Sequence, residues 1–348
     1  MSAPPPYVFR PYEAADRAEL RRLTLVRSPE MSATFDQHWW WWLFPTPPMW
    51  VIADPQSGQL VGFLGYIPFR LYHRGVEYNS AWLVDGFVLP SHRGQRLGVR
   101  LWSTVSGQFQ LAASAGQGDA GRAALQRLAW GRRIPVRRYI FPFALIPGTG
   151  KLMQLGHKTC AGLDCETTAL TEESAFDAEF DRLWARVRDA LSPLGARDAA
   201  ALRARYAKEP SRPYTLLKCR RGGELVGYLI ARFCPRHTLT PLPGVRVGLI
   251  VDYLADPQDR EAHALLLREA KHHLLRRRAQ VLIGRTTSQT FHHCLIRAGF
   301  LHPDTPLFGW ALRRLGGFLI FKAQGDLVFP ETWHLTLGDC DSELGWLV

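Results

Sequence analysis

Between Val84 and Trp102 the chain reads VDGFVLPSHRGQRLGVRLW. Strand-forming residues, Phe87, Val88 and Leu89 last among them, run into Pro90. A turn then carries Arg93, Gly94, Gln95 and Arg96, and Leu97, Gly98 and Val99 open an amphipathic helix. The first N–H groups of a helix have no intrahelical partner, and the positive end of its dipole lies among them. A strand, a glycine-bearing turn and a helix N-terminus therefore make an anion site. Two guanidiniums in the turn add groups suited to phosphate oxygens. A diphosphate is the ligand that fits such an arrangement best.

These residues resemble motif A of the Gcn5-related N-acetyltransferase (GNAT) superfamily. There a strand ending in a Val-x-Pro-like segment enters an (Arg/Gln)-x-x-Gly-x-(Gly/Ala) loop. The matching positions here are Val88, Pro90, Arg93, Gly94, Leu97 and Gly98, while Arg96 stands where the family has its middle glycine. A second register, Gln95-x-x-Gly98, loses the spacing to Pro90. The resemblance implies that Phe87 to Leu89 and Arg93 to Val99 bind acetyl-CoA or another acyl-CoA as cosubstrate. It also implies direct attack of an acceptor amine on the thioester, with the carbonyl held by a strand N–H near Phe87 to Leu89. Asp85 lies near the place of the family's general base. The family's usual acid, a Tyr, is replaced by Leu125 and by Leu295 in the corresponding helices, and Tyr139 is a conceivable substitute.

The chain is internally duplicated. Gly58-Gln59-Leu60-Val61-Gly62-Phe63-Leu64 recurs as Gly223-Glu224-Leu225-Val226-Gly227-Tyr228-Leu229, an offset of 165 residues. Val84-Asp85, Pro90 and Arg93 recur as Val251-Asp252, Pro257 and Arg260 at an offset of 167, and Leu128-Ala129-Trp130 is echoed by Ala298-Gly299-Phe300 at 170. A period this long is a duplicated domain, not a solenoid. In the second copy Glu261, Ala262, His263, Ala264 and Leu265 replace Gly94 to Gly98, so only the first copy is expected to bind CoA. Asp252 persists in a copy that has lost the loop, which favours a shared architectural role for it and for Asp85.

The elements that must position the motif follow from residue pattern. The first half predicts a strand at Tyr7–Arg10, a helix at Tyr12–Val26 and strands near Trp50–Ala53, Gln59–Leu71 and Val76–Leu89. A helix from Gly98 to Ala113, a short helix around Gly121 to Trp130 and a β-rich stretch from Ile134 to Phe143 follow. The second half predicts helices near Glu173–Leu191 and Ala199–Ala207, then strands at Tyr214–Cys219, Glu224–Phe233 and Arg246–Leu254. A helix at Arg260–Arg278, a strand at Val281–Gly284, a helix at Thr290–Ala298 and a strand at Phe318–Phe321 complete it. This is the GNAT order twice. The expected fold is α/β (α+β): two tandem GNAT-like domains, residues 1–150 and 160–348, each a mixed, mostly antiparallel sheet flanked by helices. The linker falls at Pro147–Leu163.

At 348 residues and 47% hydrophobic composition the chain can fill two cores. The net charge is +12, and of 43 basic residues only six are Lys. Arg132-Arg133, Arg137-Arg138, Arg276–Arg278 and Arg313-Arg314 read first as solvated basic surface, and no nucleic-acid module accompanies them. Trp39 to Trp42 cover every side of a helix, so they pack against more than one neighbour, wall a sugar or lipid-linked acceptor site, or form a membrane-interface belt. No apolar run approaches the roughly 20 residues of a spanning helix, and no signal-peptide pattern is present. Six cysteines lack Cys-x-x-Cys pairing, consistent with reduced thiols in a cytoplasm. No metal-ligand spacing occurs, so no metal is expected.

The reading is a cytoplasmic acyl-CoA-dependent N-acyltransferase acting on an amine of a small molecule, sugar or peptide, without nucleic acid or a transmembrane segment. Its rivals are a non-catalytic GNAT-derived binding protein and a Fem-like, aminoacyl-tRNA-dependent transferase.

Overall fold

In a computed structural model, residues 7–33, 35–115, 119–130, 132–142, 162–170, 175–207, 213–235, 244–302, 317–324 and 333–340 are described. The chain divides into two compact units, and neither is continuous in sequence. The first draws on Met1–Arg70, Tyr78–Arg133 and Leu319–Phe329, the second on Leu71–Glu77, Ile134–Phe318 and Pro330–Val348.

In the first unit the sheet runs β1 (Val8–Pro11), β2 (Met49–Ala53), β3 (Leu60–His73), β4 (Val76–Val88), β5 (Leu111–Ala115) and β13 (Gly317–Ala323). β1, β2 and β3 pair antiparallel, β4 and β5 run parallel, and β13 pairs antiparallel with β5. Helix α1 (Arg17–Arg27) buries Leu20 and Leu23. Helix α3 (Leu97–Ser106) turns Leu97, Leu101 and Val105, spaced by four, onto Ile52, Val61, Leu64 and Leu83. Each such fully buried leucine contributes about 2 kcal/mol of transfer free energy. Helix α4 (Asp119–Arg127) adds Leu125 to the same core.

The four-tryptophan run forms the short helix α2 (Trp39–Leu43). Trp39 and Trp40 are buried, Trp40 meeting Phe63 edge-on. Trp41 donates its indole N–H to the Phe35 carbonyl at 2.7 Å, and Arg17 lies over its ring. Three of the four are thus occupied in packing, and the Trp42 side chain lies outside the described residues.

In the second unit the sheet runs β6 (Arg132–Phe141), β12 (Val281–Thr286), β11 (Val247–Ala255), β10 (Glu224–Cys234), β9 (Tyr214–Arg221) and β7 (Leu163–Leu170). Only the β11–β12 pair is parallel. One face packs helices α5 (Ala178–Leu191) and α6 (Ala199–Tyr206), through Phe180, Leu183, Val187 and Leu202, on Tyr228, Ile230 and Leu249. The other packs α7 (Arg260–Arg276) and α8 (Gln289–Arg297), through Leu266, Ala270, Leu274, Phe291 and Leu295, on Leu217, Leu229, Ile250 and Leu282. These helices start where caps dictate. Asp177, Asp198, Asp259 and Ser288 each accept a backbone N–H of the first turn.

Three expectations are corrected. The helix predicted to run from Gly98 to Ala113 stops at Ser106, and Leu111–Ala115 is strand β5. The small residues Ala112, Ala113 and Ser114 look helical locally, but pairing on both edges overrides propensity. The stretch Ile134–Phe143, placed in the first domain, supplies β6 to the second unit, with Phe141 opposite Leu282 and Arg137 opposite Thr286. Conversely β13, from the C-terminal third, pairs with β5 of the first unit, with Leu319 opposite Ala115. A cut at residues 150–160 therefore does not separate the units. Most of the expected linker, Pro147–Leu163, lies outside the described residues. Strand β7, at its end, was not foreseen.

Among the described residues no helix is long and apolar enough to cross a membrane, and no group of three or more His, Cys, Asp or Glu is placed to hold a metal ion.

Candidate functional site

β4 pairs with β5 only over Ser80–Trp82, then continues to Val88. The parting is built in. Ser114 Oγ donates to the Leu83 carbonyl at 2.9 Å, taking the place of a backbone donor. Two residues on, Asp85 adopts a left-handed φ of 55°, a conformation Asp tolerates better than most side chains. On the opposite edge β4 stays paired to its end, where the Leu89 N–H donates to the Val61 carbonyl at 2.9 Å. With the two-residue alternation of a strand, Leu89 and Phe87 turn their N–H groups toward β3. The Val88 N–H faces the side from which β5 has departed.

After β4, Pro90–His92 make a single 3-10 turn. Gly94 follows with φ 85°, and a side chain there would be strained although it would meet open space. Arg96 is the N-cap of α3 with φ 58° and ψ 17°, again left-handed, and its side chain caps nothing. This is the position where glycine was expected, and the backbone geometry is glycine's. Gly98 is different: a Cβ there would sit 3.8 Å from Val88 Cγ2, an ordinary contact. The fold itself does not require that glycine.

The loop, the start of α3 and one side of α4 enclose a cavity of about 370 Å³. Eight of the expected ligand-binding residues line it: Phe87, Val88, Arg93, Gly94, Arg96, Leu97, Gly98 and Val99. Leu89 and Gln95 do not: Leu89 is half-buried against the core and Gln95 is exposed. Sequence reasoning missed Gly86, His92, Trp102 and the wall formed by Gly121, Ala123, Ala124 and Arg127. Trp102 was within reach of inference, since it lies one turn beyond Gly98 on the same helix face. Small residues on α4 leave room in the cavity. Arg93, held by a 3.2 Å bond from its Nε to the Val88 carbonyl, joins Arg96 and Arg127 around it. Among the described residues none of these three ion-pairs with a carboxylate.

Asp85 is absent from this lining. Its Oδ1 is 2.9 Å from Arg27 Nη2, at the last turn of α1. The structure thus gives the aspartate a cation as partner and a bend in β4 as its effect. Tyr139 is no substitute acid in the cavity: it is fully buried in the second unit, its hydroxyl 2.6 Å from His292 Nδ1. Leu125 and Leu295 are core residues of their units.

The corresponding helix of the second unit is sealed. Asp259 Oδ1 accepts from the Ala262 N–H at 3.0 Å, and Arg221 binds both Asp259 and Glu261. His263 Nε2 is 2.9 Å from the Asp256 carbonyl oxygen, and burial pushes its imidazole down to about 4. Beneath, Asp252 accepts from Arg197 Nε at 3.0 Å, from Thr336 Oγ1 at 3.1 Å and from the Tyr206 hydroxyl at 3.2 Å. Arg197 also holds Asp339 at 2.6 Å. Asp252 is an architectural residue, as its persistence suggested.

Known proteins resemble this chain in sequence over part of its length and in fold over most of it. Residues 14–114 match the model of the acetyltransferase (GNAT) family. A GCN5-related N-acetyltransferase from Anabaena variabilis is similar in structure with a TM-score of 0.61 at 12% identity, over 91% of this chain and 73% of that one. Saccharomyces cerevisiae N-myristoyltransferase, solved with bound myristoyl-CoA and inhibitors, gives 0.55 at 14% identity, over 100% of this chain and 88% of that one. A tandem GNAT protein from the clavulanic acid biosynthesis pathway gives 0.51 at 13%, over 93% of this chain and all of that one. In sequence, formamidopyrimidine-DNA glycosylases of three Xanthomonas oryzae strains are 29% identical over 147 residues, 41% of this chain. The chain matches about half the length of these curated relatives, 53%.

Proposed function

We propose that this chain, a member of the GNAT superfamily, is an acyl-CoA-dependent N-acyltransferase whose acyl-CoA site is the cavity at the start of α3. The observation that carries the reading is that cavity: a helix N-terminus with no side-chain cap, a glycine the fold does not need, and three arginines that meet no carboxylate among the described residues. The glycosylase likeness is partial on both chains, whereas the fold neighbours span nearly all of this one.

In this reading the N–H groups of Leu97, Gly98 and Val99 hold the diphosphate of acyl-CoA, and Arg93, Arg96 and Arg127 neutralise it. The thioester lies where β4 has parted from β5. Its carbonyl oxygen takes the Val88 N–H, which steadies the negative charge that develops as the acceptor amine attacks. The C–N bond forms, the C–S bond breaks, and CoA leaves as a thiolate that takes up a proton, while the amine releases one. Leu89, whose N–H is committed to Val61, has no part in that step. Asp85 acts by bending the strand that presents Val88, and holding the reactants in place supplies much of the acceleration. The acyl group transferred and the amine that receives it are read from assay: acetyl-CoA and myristoyl-CoA, each with panels of amino sugars, polyamines and peptides, following thiol release.

Turnover with one acyl-CoA, lost in Gly98→Glu, supports the reading. Asp85→Asn preserves the left-handed bend and is expected to keep kcat within about threefold, since general-base loss typically costs 10²-fold or more. A loss of that size would make Asp85 the proton acceptor instead. Binding of acyl-CoA without turnover on any amine would favour a non-catalytic role, for which the Leu at position 125 speaks. Indifference to CoA with salt-sensitive tRNA binding would favour the Fem-like alternative.

A further inference from the structure

The tract Arg276–Arg278 is unused by the reading above, and it borders a second cavity, of about 420 Å³, composed wholly of second-unit residues. We propose that this cavity binds a phosphate monoester, gripped by Arg276 and Arg277 and received by Thr167 and His273. It lies at the last turn of α7, against strands β7 and β9.

The floor of the cavity is ordered. Thr215 is buried, and its Oγ1 is 3.0 Å from His273 Nε2, which fixes the imidazole from one side. Thr168 Oγ1 donates to the Leu216 carbonyl at 3.4 Å, while the neighbouring Thr167 is exposed on the cavity wall. The rim is cationic. Arg276 and Arg277 are exposed, and among the described residues neither side chain reaches a carboxylate or a backbone carbonyl. The one acid in the lining, Glu269, has its Oε1 engaged by Arg268 Nε at 3.0 Å. Two guanidiniums, a hydroxyl and an imidazole therefore line one cavity, with its single lining carboxylate held by Arg268.

Cations in the last turn of a helix complement its negative end, and that accounts for a basic residue there in general. It does not account for two guanidiniums, a histidine and a threonine sharing one concavity. Burial, with Arg277 and Arg276 close by, holds the His273 imidazole below its usual range. Guanidiniums bind phosphate oxygens bidentately where geometry allows. The volume exceeds what a bare phosphate fills and falls within the range of small-ligand sites, which points to a phosphate carried on a small organic body.

The test is a titration of the full-length protein, at low ionic strength, with inorganic phosphate, ribose 5-phosphate, ribose and matched sodium chloride. The readout is the ring resonances of His273, assigned with His273→Gln, and heats of binding. Saturable shifts are expected with both phosphates and none with ribose or chloride, ribose 5-phosphate binding the tighter. Arg276→Ala/Arg277→Ala is expected to weaken both by at least about tenfold, leaving thermal stability and acetyl-CoA binding unchanged. Equal affinity for the two phosphates would support the site with free phosphate as its occupant. No saturable response, or one undiminished in the double variant, would overturn the proposal.

Discussion

Helix α3 in the first unit and helix α7 in the second follow corresponding strands of a duplicated fold, yet they treat their N-termini in opposite ways. α3 begins at a left-handed arginine whose side chain caps nothing, beside a cavity lined by Arg93, Arg96 and Arg127. α7 begins at an aspartate that accepts a first-turn N–H, and Arg221 ties that aspartate to Glu261. The aspartates beneath differ as well. Asp85 has one partly exposed partner, Arg27, whereas Asp252 sits in a buried network with Arg197, Thr336 and Tyr206. One copy leaves its electropositive helix end without a side-chain cap, and the other satisfies it internally. Where the first unit has an open cavity, the second has a buried polar anchor.

Breaking the anchor is expected to have the largest effect. Arg197→Leu leaves Asp252 and Asp339 buried without their cation and should cost about 3–5 kcal/mol, read by urea denaturation. Arg27→Leu, at a pair about one-third exposed on the arginine side, should cost no more than about 1 kcal/mol. Equal losses would mean the two aspartates play the same role.

Acid should separate the copies next. His263 and His334 are buried in the second unit, and burial pushes them down from 6.5 to about 4 and about 3. Below about pH 6.5 the unfolded chain takes up protons that these imidazoles refuse in the folded state. Stability is therefore full above that pH and falls as pH drops toward 4, by on the order of 1.4 kcal/mol per unit for each histidine. His263→Gln should flatten the urea-midpoint profile between pH 6.5 and 4. An unchanged slope would contradict the burial of that imidazole as a neutral group.

How much of this was legible in sequence depended on whether the signal was local. The loop from Arg93 to Gly98 could be read because turn, glycine and helix start are neighbours in the chain. The decay of its counterpart could be read for the same reason. β5 could not, because Leu111–Ala115 has the small residues of a helix and gains its strand conformation from β4 and β13. Nor could the exchange of β6 and β13 between the units, since a strand's sequence states its faces but not its partner. Arg127 and the α4 wall escaped because they reach the cavity from another element.

Smaller changes sharpen the contrast at the helix ends. Asp259→Ala should cost about 1 kcal/mol by loss of a cap. Arg96→Gly should instead stabilise the chain by about 0.5–1 kcal/mol, because glycine adopts the left-handed backbone without strain. The same substitution should weaken acyl-CoA binding severalfold through loss of a cation. Destabilisation by Arg96→Gly would show that the arginine side chain has a structural task.

The central claim is that the open helix end of the first unit is the acyl-CoA site, and calorimetric titration of acetyl-CoA into wild type, Gly98→Ala and Gly98→Glu tests it most directly. Saturable one-site binding in wild type is expected. Gly98→Glu should retain thermal stability but lose at least about 100-fold in affinity, about 2.7 kcal/mol, with Gly98→Ala between them. Binding that is undiminished in Gly98→Glu, or absent from the wild type for acetyl-CoA and myristoyl-CoA alike, would contradict the account.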